Sequence, residues 1–251
     1  MSAIAIGGIV FICIFGGALA GLFIRAALPE HHSTSDTKDV VKLAIALVAT
    51  MSALLLSLLI ATAKSAYDTR SNELTQMSAD VVVLDRLLVH YGPETKDARF
   101  LLRSSIAAGL ERFQPAEHGG RASLETTGSF EAIYDKIEEL SPQSEAQRSL
   151  QGQALNMAIN LGRTRLLLFE NAGSSIPFPF LVVLVLWLTI IFASFGLFAP
   201  TNATTIAALL VSALSVSGAI FLILELDRSF EGIIQVSSSP LRAALARMGP
   251  L

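Results

Sequence analysis

The sequence predicts an all-α integral membrane protein that crosses the bilayer as four helices, with a mostly helical, water-exposed domain between the second and third. Three observations carry this. The 251 residues are 52% hydrophobic and only 16% charged, with a mean hydropathy of +0.59, too apolar for a soluble domain of this length. Four charge-free runs each reach the roughly 20 residues that a helix needs to cross a bilayer core. Most of the charge is concentrated in the middle of the chain.

Residues 1–24 carry no charge and form the first span, at about 3–24. Ala18-Leu19-Ala20 resembles a signal-peptide cleavage site. No positive charge precedes it, however, and the apolar stretch exceeds the usual signal core of about 7–15 residues, so the segment is read as a retained span. The second span, at about 43–63, is bounded by Lys42 and Lys64, and these two helices form a transmembrane hairpin over residues 1–63. Residues 171–224 are again free of charge. Pro177, Pro179 and the loop Ala199-Pro200-Thr201-Asn202 divide that stretch into spans at about 178–198 and 204–224, a second hairpin over residues 176–226. Residues 227–251 are a tail.

The central domain, residues 64–175, holds 12 Lys and Arg against 15 Asp and Glu, a mixture that belongs in water. Val81, Leu84 and Leu88, then Leu101, Leu102, Ile106 and Leu110, recur at helical spacing. A long helix is therefore expected to continue span two until Gly92-Pro93 breaks it, with a second helix to about Phe113. The stretch from Pro115 to Gly128 reads as an irregular turn. Phe130, Ile133, Ile137 and Leu140 form the next stripe, and Ser141-Pro142 is expected to start a helix through Leu155, Ile159 and Leu166 towards span three. The domain reads as a helical hairpin stalk.

Lys and Arg favour the cytoplasmic side of a membrane. Lys64, Arg70, Arg163 and Arg165 flank the central domain, Arg228, Arg242 and Arg247 lie in the tail, and the hairpin loop near Asn202 has none. The central domain and both termini are thus expected in the cytoplasm. Arg25, Lys38 and Lys42 in the first loop oppose this reading, set against Glu30, Asp36 and Asp39.

Several function classes are excluded. A net charge of −3 gives no basic footprint for nucleic acid. There is no phosphate-cradling glycine loop, His-Glu-x-x-His pair or Gly-x-Ser-x-Gly elbow, so no enzyme and no cofactor is expected. Cys13 lies within an apolar run and reads as a small buried residue. His31 and His32, with Glu30, Asp36 and Asp39, have metal-binding chemistry, but adjacent histidines on a loop seldom offer matched geometry, and a solvated loop is preferred to a metal site. Asp85-Arg86 with Tyr91-Gly92-Pro93 is read as an ion pair and tyrosine that hold stalk helices or subunits together, in preference to a functional patch.

The polar and small residues inside the spans are more informative. Ala49, Ala53, Ser57 and Ala61 repeat every four residues, and Gly17 and Gly21 do the same, giving small faces suited to close helix packing and self-association. In span four Ser212 and Ser215 share a face with Ala208 and Ala219, and the span ends in Glu225-Leu226-Asp227. Carboxylates at a membrane edge face water, a partner or a pore. Multiplied around a symmetry axis, Glu225 and Asp227 would form a negative ring favouring cations, and Ser212 and Ser215 would line the pathway above it; plain interfacial solvation is the competing reading.

Across nearly the whole chain the sequence resembles the bestrophin-like family of bacterial membrane proteins. The resemblance rests on Leu28-Pro29-Glu30 with His32, on residues 36–42, and on Ala61-Thr62-Ala63-Lys64-Ser65. It continues through Leu84-Asp85-Arg86, Tyr91-Gly92-Pro93-Glu94, Arg99, Leu224-Glu225-Leu226-Asp227, Phe230, Gly232, Ser237-Ser238 and Pro240. Where the family pattern has proline before the phenylalanine, this chain has Ser229. True bestrophins are pentameric anion channels, so the resemblance implies a homo-oligomer, a pentamer by that analogy, that conducts ions passively. The calcium-clasp and aromatic-neck residues of true bestrophins have no match here. The topology is also similar to that of flagellar-motor stator subunits, so a stator-like subunit or a non-conducting scaffold engaging protein partners is the alternative.

Overall fold

An apolar chain in lipid has to satisfy its backbone hydrogen bonds internally, which a helix does. A computed structural model of the chain describes residues 2–27, 35–112, 127–170, 175–228 and 233–249, and these contain no strand. The helices are α1 (Ala3–Ala27), α2 (Ser35–Tyr91), α3 (Lys96–Arg112), α4 (Thr127–Glu138), α5 (Glu145–Glu170), α6 (Phe178–Phe198), α7 (Ala203–Asp227) and α8 (Ser239–Arg247). Four of them, α1, α2, α6 and α7, are long and apolar enough to cross a membrane.

The chain forms two units. The first contains α1, α6, α7 and α2 up to Tyr67. Val10, Ile14, Ala18 and Leu22 of α1, Leu184 and Leu188 of α6, and Ala213 and Ile220 of α7 form its core, which Leu59 and Ala63 of α2 join. Glycines set how closely α1 approaches α6. A methyl placed on Gly17 would lie 2.8 Å from Thr189 Cγ2, one on Gly21 would overlap the Ala193 carbonyl, and one on Gly196 would overlap that of Ala18. Gly17 and Gly21 are therefore filled by α6 of their own chain, as small residues at a helix crossing allow.

The same contacts give direction. Residue numbers rise together along α1 and α6, so these two helices run parallel. Hence α7, which follows α6 after a tight turn, runs antiparallel to both, and Gly7 of α1 meets Phe221 near the end of α7. The beginning of α1, the beginning of α6 and the end of α7 lie on one side. At the opposite end an Arg25 Nη1 donates to the carbonyl of Ala199, which ends α6. A guanidinium at a helix C-terminus also complements its dipole. Arg25 and Lys42, which opposed the expected orientation, thus have local tasks: Arg25 closes α6, and Lys42 pairs with Asp39 at 3.2 Å.

Local chemistry explains the turn. Ala199 is extended, as a residue before proline tends to be. Asn202 caps α7 by accepting a 2.8 Å hydrogen bond from Thr205 N.

The second unit contains α2 from Asp68, together with α3, α4, α5 and α8. α2 runs unbroken through 57 residues, about 86 Å at 1.5 Å per residue, well beyond the roughly 30 Å of a bilayer core. Gly92, at φ 141°, ends it in a conformation that disfavours any side chain. Thr95 Oγ1 secures the turn against the carbonyls of Leu88 (2.7 Å) and Gly92 (2.8 Å). Leu74, Val81, Leu84, Leu88, Leu102, Ile106, Ile133, Ile137 and Leu161 are fully or almost fully buried.

This unit is a bundle that takes in the tail as well as most of residues 64–175, the segment expected to form a helical hairpin stalk. The tail, read as a separate segment, supplies α8, whose Leu241 and Ala244 are buried while Arg103 Nη1 donates to the carbonyls of Met248 and Gly249. α5 begins at Glu145, later than the expected Ser141-Pro142. Ser144 accepts from Gln147 N at 3.2 Å, and Gln147 Oε1 accepts from Gln143 N at 2.8 Å, a reciprocal cap close to the capping-box arrangement. Thr127 and Gly128, read as loop, begin α4. Phe113 and residues 115–126 lie outside the described residues, as do His31 and His32.

Candidate ion pathway and the carboxylates that close span four

Polar side chains inside the spans mostly satisfy themselves locally. Ser57 donates to Ala53 O (2.9 Å), Thr50 to Leu47 O (2.7 Å), Thr189 to Val185 O (2.7 Å) and Ser215 to Val211 O (2.9 Å). Such back-bonding satisfies the hydroxyl proton and leaves oxygen lone pairs on the helix surface. Ser212 and Ser215 lie on an exposed face of α7, whereas Ser217, which the sequence reading passed over, is buried. Cys13, expected to be buried, is exposed on α1.

α2 differs from the other spans. Its own chain buries 11% of its apolar window, against 28% in α1 and α7 and 33% in α6. Ala53 and Ser57, with Thr50, are exposed, and Ala49 is half-buried.

Glu225 and Asp227 stand differently from the exposed ring expected at the end of span four. α7 continues to Asp227, three residues past the expected boundary, and the two carboxylates are 5% and 1% exposed. Asp227 Oδ1 accepts from Ser175 N at 2.9 Å and from Ser175 Oγ. Glu225 Oε2 accepts from Ile233 N at 2.6 Å. A buried carboxylate is costly unless donors reach it, and backbone N–H groups are strong donors. These acids fasten the segment leading into α6 and the segment leaving α7. Neither Ser175 nor Ile233 was legible as a partner, because nothing in their spacing announces a long-range contact.

In the second unit the ion pair joins Asp85 to Arg99, with Arg99 Nε 2.8 Å from Asp85 Oδ1, both largely buried. The expected use of Arg86 fails on helix geometry: adjacent residues point in different directions, and Arg86 is exposed. Tyr91 is 5% exposed, and its buried hydroxyl has no hydrogen-bond partner among the described residues. Burial, and secondarily the Glu94 carboxylate, push its phenol above the usual value. Its backbone carbonyl accepts from Gln147 Nε2 at 3.1 Å, while Gln151 Nε2 reaches the carbonyls of Ile137 and Leu140, both at 2.9 Å. Two glutamines one turn apart on α5 thus secure the turn after α2 and the end of α4. On the surface, the hydrogen bond from Lys136 to Glu139 raises the lysine pKa. Among the described residues no three His, Cys, Asp or Glu side chains converge to hold a metal.

Four membrane-length helices, a glycine-tight α1–α6 pair and a second helical unit formed from the middle and tail of the chain define a polytopic all-α membrane protein. The family follows from comparison: the bestrophin-like domain matches residues 12–241, and the chain belongs to that family. No match was found among curated proteins or among solved structures.

Proposed function

We propose that the protein is a homo-oligomeric, channel-like membrane protein that conducts ions passively along its symmetry axis and catalyses no reaction. The observation that carries this reading is the uncovered span of α2. A helix that its own chain leaves nearly bare, with small and hydroxyl side chains at Ala49, Thr50, Ala53 and Ser57, suits close contact with a second copy. Family membership supports the channel reading, and a pentamer follows from the analogy with true bestrophins. Ser212 and Ser215 would line the pathway, with Glu225 and Asp227 shaping its end through the segments they hold. The charge distribution supports both termini in the cytoplasm, and the resemblance to bacterial members of the family supports a bacterial inner membrane.

A second reading, a non-conducting scaffold or stator-like subunit, draws on Phe100, 58% exposed on α3 in the second unit. Cross-linking tests the assembly. With Cys13→Ser removing the native thiol, Ser57→Cys is expected to form disulfide-linked dimers in membranes, while Phe23→Cys, on the 81% exposed side of α1, is expected to stay monomeric. Equal cross-linking at both positions would contradict contact through α2.

A further inference from the structure

The outer face of α5 changes character along its length. Gly152, Gln153, Asn156 and Asn160 are exposed and polar or small, whereas Ile159, Leu166 and Leu167 make the later part of the same stripe more apolar. Ile159 is 53%, Leu166 62% and Leu167 40% exposed, and the exposed Arg163 lies among them at helical spacing. Arg165 is directed elsewhere, over the Phe130 ring at 4.8 Å. No Asp or Glu occurs from residue 146 to 169.

Chain connectivity tethers the end of this patch to the start of span three. Residues 171–177 separate the end of α5 from Phe178, and even fully extended they span no more than about 28 Å. Phe178 and Phe180, 71% and 46% exposed, open the apolar span of α6.

We infer that the last three turns of α5 form an interfacial docking surface for the anionic lipid headgroups of the leaflet that α6 enters. Ile159, Leu166 and Leu167 insert into the boundary between headgroups and acyl chains, and the Arg163 guanidinium pairs with lipid phosphate. A second copy of the chain fits the patch less well. An interface there would desolvate Arg163 between apolar side chains with no carboxylate on the stripe to receive it. A self-association stripe would also run the length of the helix, whereas this one is apolar only towards the end that leads into span three.

The test uses the full chain in nanodiscs of phosphatidylcholine with or without phosphatidylglycerol. In the Cys13→Ser background, a bimane label at Leu166→Cys or Asn156→Cys is quenched by doxyl-labelled lipid or by aqueous acrylamide. Lipid quenching is expected to dominate at 166 and acrylamide quenching at 156. Phosphatidylglycerol is expected to favour lipid quenching at 166 by about fivefold, the attraction of one basic residue, and Arg163→Gln to abolish that preference. Equal acrylamide access at both positions, or shielding of 166 from both quenchers as beneath a protein partner, would overturn the inference. So would a lipid preference that survives Arg163→Gln.

Discussion

Replacing Gly21 with alanine adds one methyl group at the closest approach of α1 and α6. That methyl would overlap the Ala193 carbonyl and lie 2.9 Å from Leu197 N, and because both are backbone atoms no rotamer change relieves the clash. The helices would have to separate. Overpacking of this kind costs about 1–3 kcal/mol. Alanine otherwise favours a helix over glycine by about 1 kcal/mol, and the control Gly16→Ala, where the methyl meets open space, isolates that gain. Taking about 2 kcal/mol for the clash less about 1 kcal/mol for the helix gain leaves about 1 kcal/mol for Gly21→Ala, so the melting temperature should fall by roughly 2–4 °C, while Gly16→Ala should leave it unchanged or raise it. Gly196→Ala strikes the same crossing from the other helix, so the double variant should lose less than the sum of the single losses. Thermal unfolding in one detergent, followed by circular dichroism, reads the unsubstituted chain and all four variants. Equal melting temperatures for Gly21→Ala and Gly16→Ala would refute the close crossing, and with it the parallel arrangement of α1 and α6.

Two further outcomes concern the second unit. Asp85→Ala leaves the Arg99 guanidinium, 12% exposed, without its carboxylate and should cost about 3–5 kcal/mol in chemical unfolding; a loss below about 1 kcal/mol would contradict a buried pair. Tyr91→Phe removes a buried hydroxyl that has no partner among the described residues and should be neutral or stabilising by about 1 kcal/mol. Because the folded phenol has a raised pKa, the folded state holds its proton more tightly than the unfolded state, so stability is retained below the ordinary value of 10.0 and declines as pH rises past it. The phenylalanine variant should lack that component of the decline, and an identical alkaline profile in both proteins would exclude Tyr91 as its source.

The spans were legible because a bilayer imposes length and apolarity at once. The expected 178–198 coincides with α6, and Gly92-Pro93 ends α2 as read, since a positive φ and a missing N–H are written in residue type. Boundaries were missed where side-chain hydrogen bonds set them. Ser144 with Gln147 moved the start of α5, a Ser-x-x-Gln signal present in the sequence but outweighed by Ser141-Pro142. The end of α7 moved to Asp227 because donors from Ser175 and Ile233 allow its carboxylates to be buried within their own chain. The partner of Asp85 lay fourteen residues away across a turn, where adjacency misleadingly suggested Arg86. Whether the glycines of α1 faced another subunit or another helix was not legible at all, because a small face records close contact but not the identity of its neighbour.

Ion flux through the purified chain in sealed liposomes tests the channel reading most directly. Liposomes loaded with potassium chloride and carrying the protein should dissipate an imposed salt gradient faster than protein-free ones, in proportion to the number of oligomers per vesicle. Rates indistinguishable from empty liposomes, with the protein verified as folded and inserted, would contradict conduction and leave the scaffold reading.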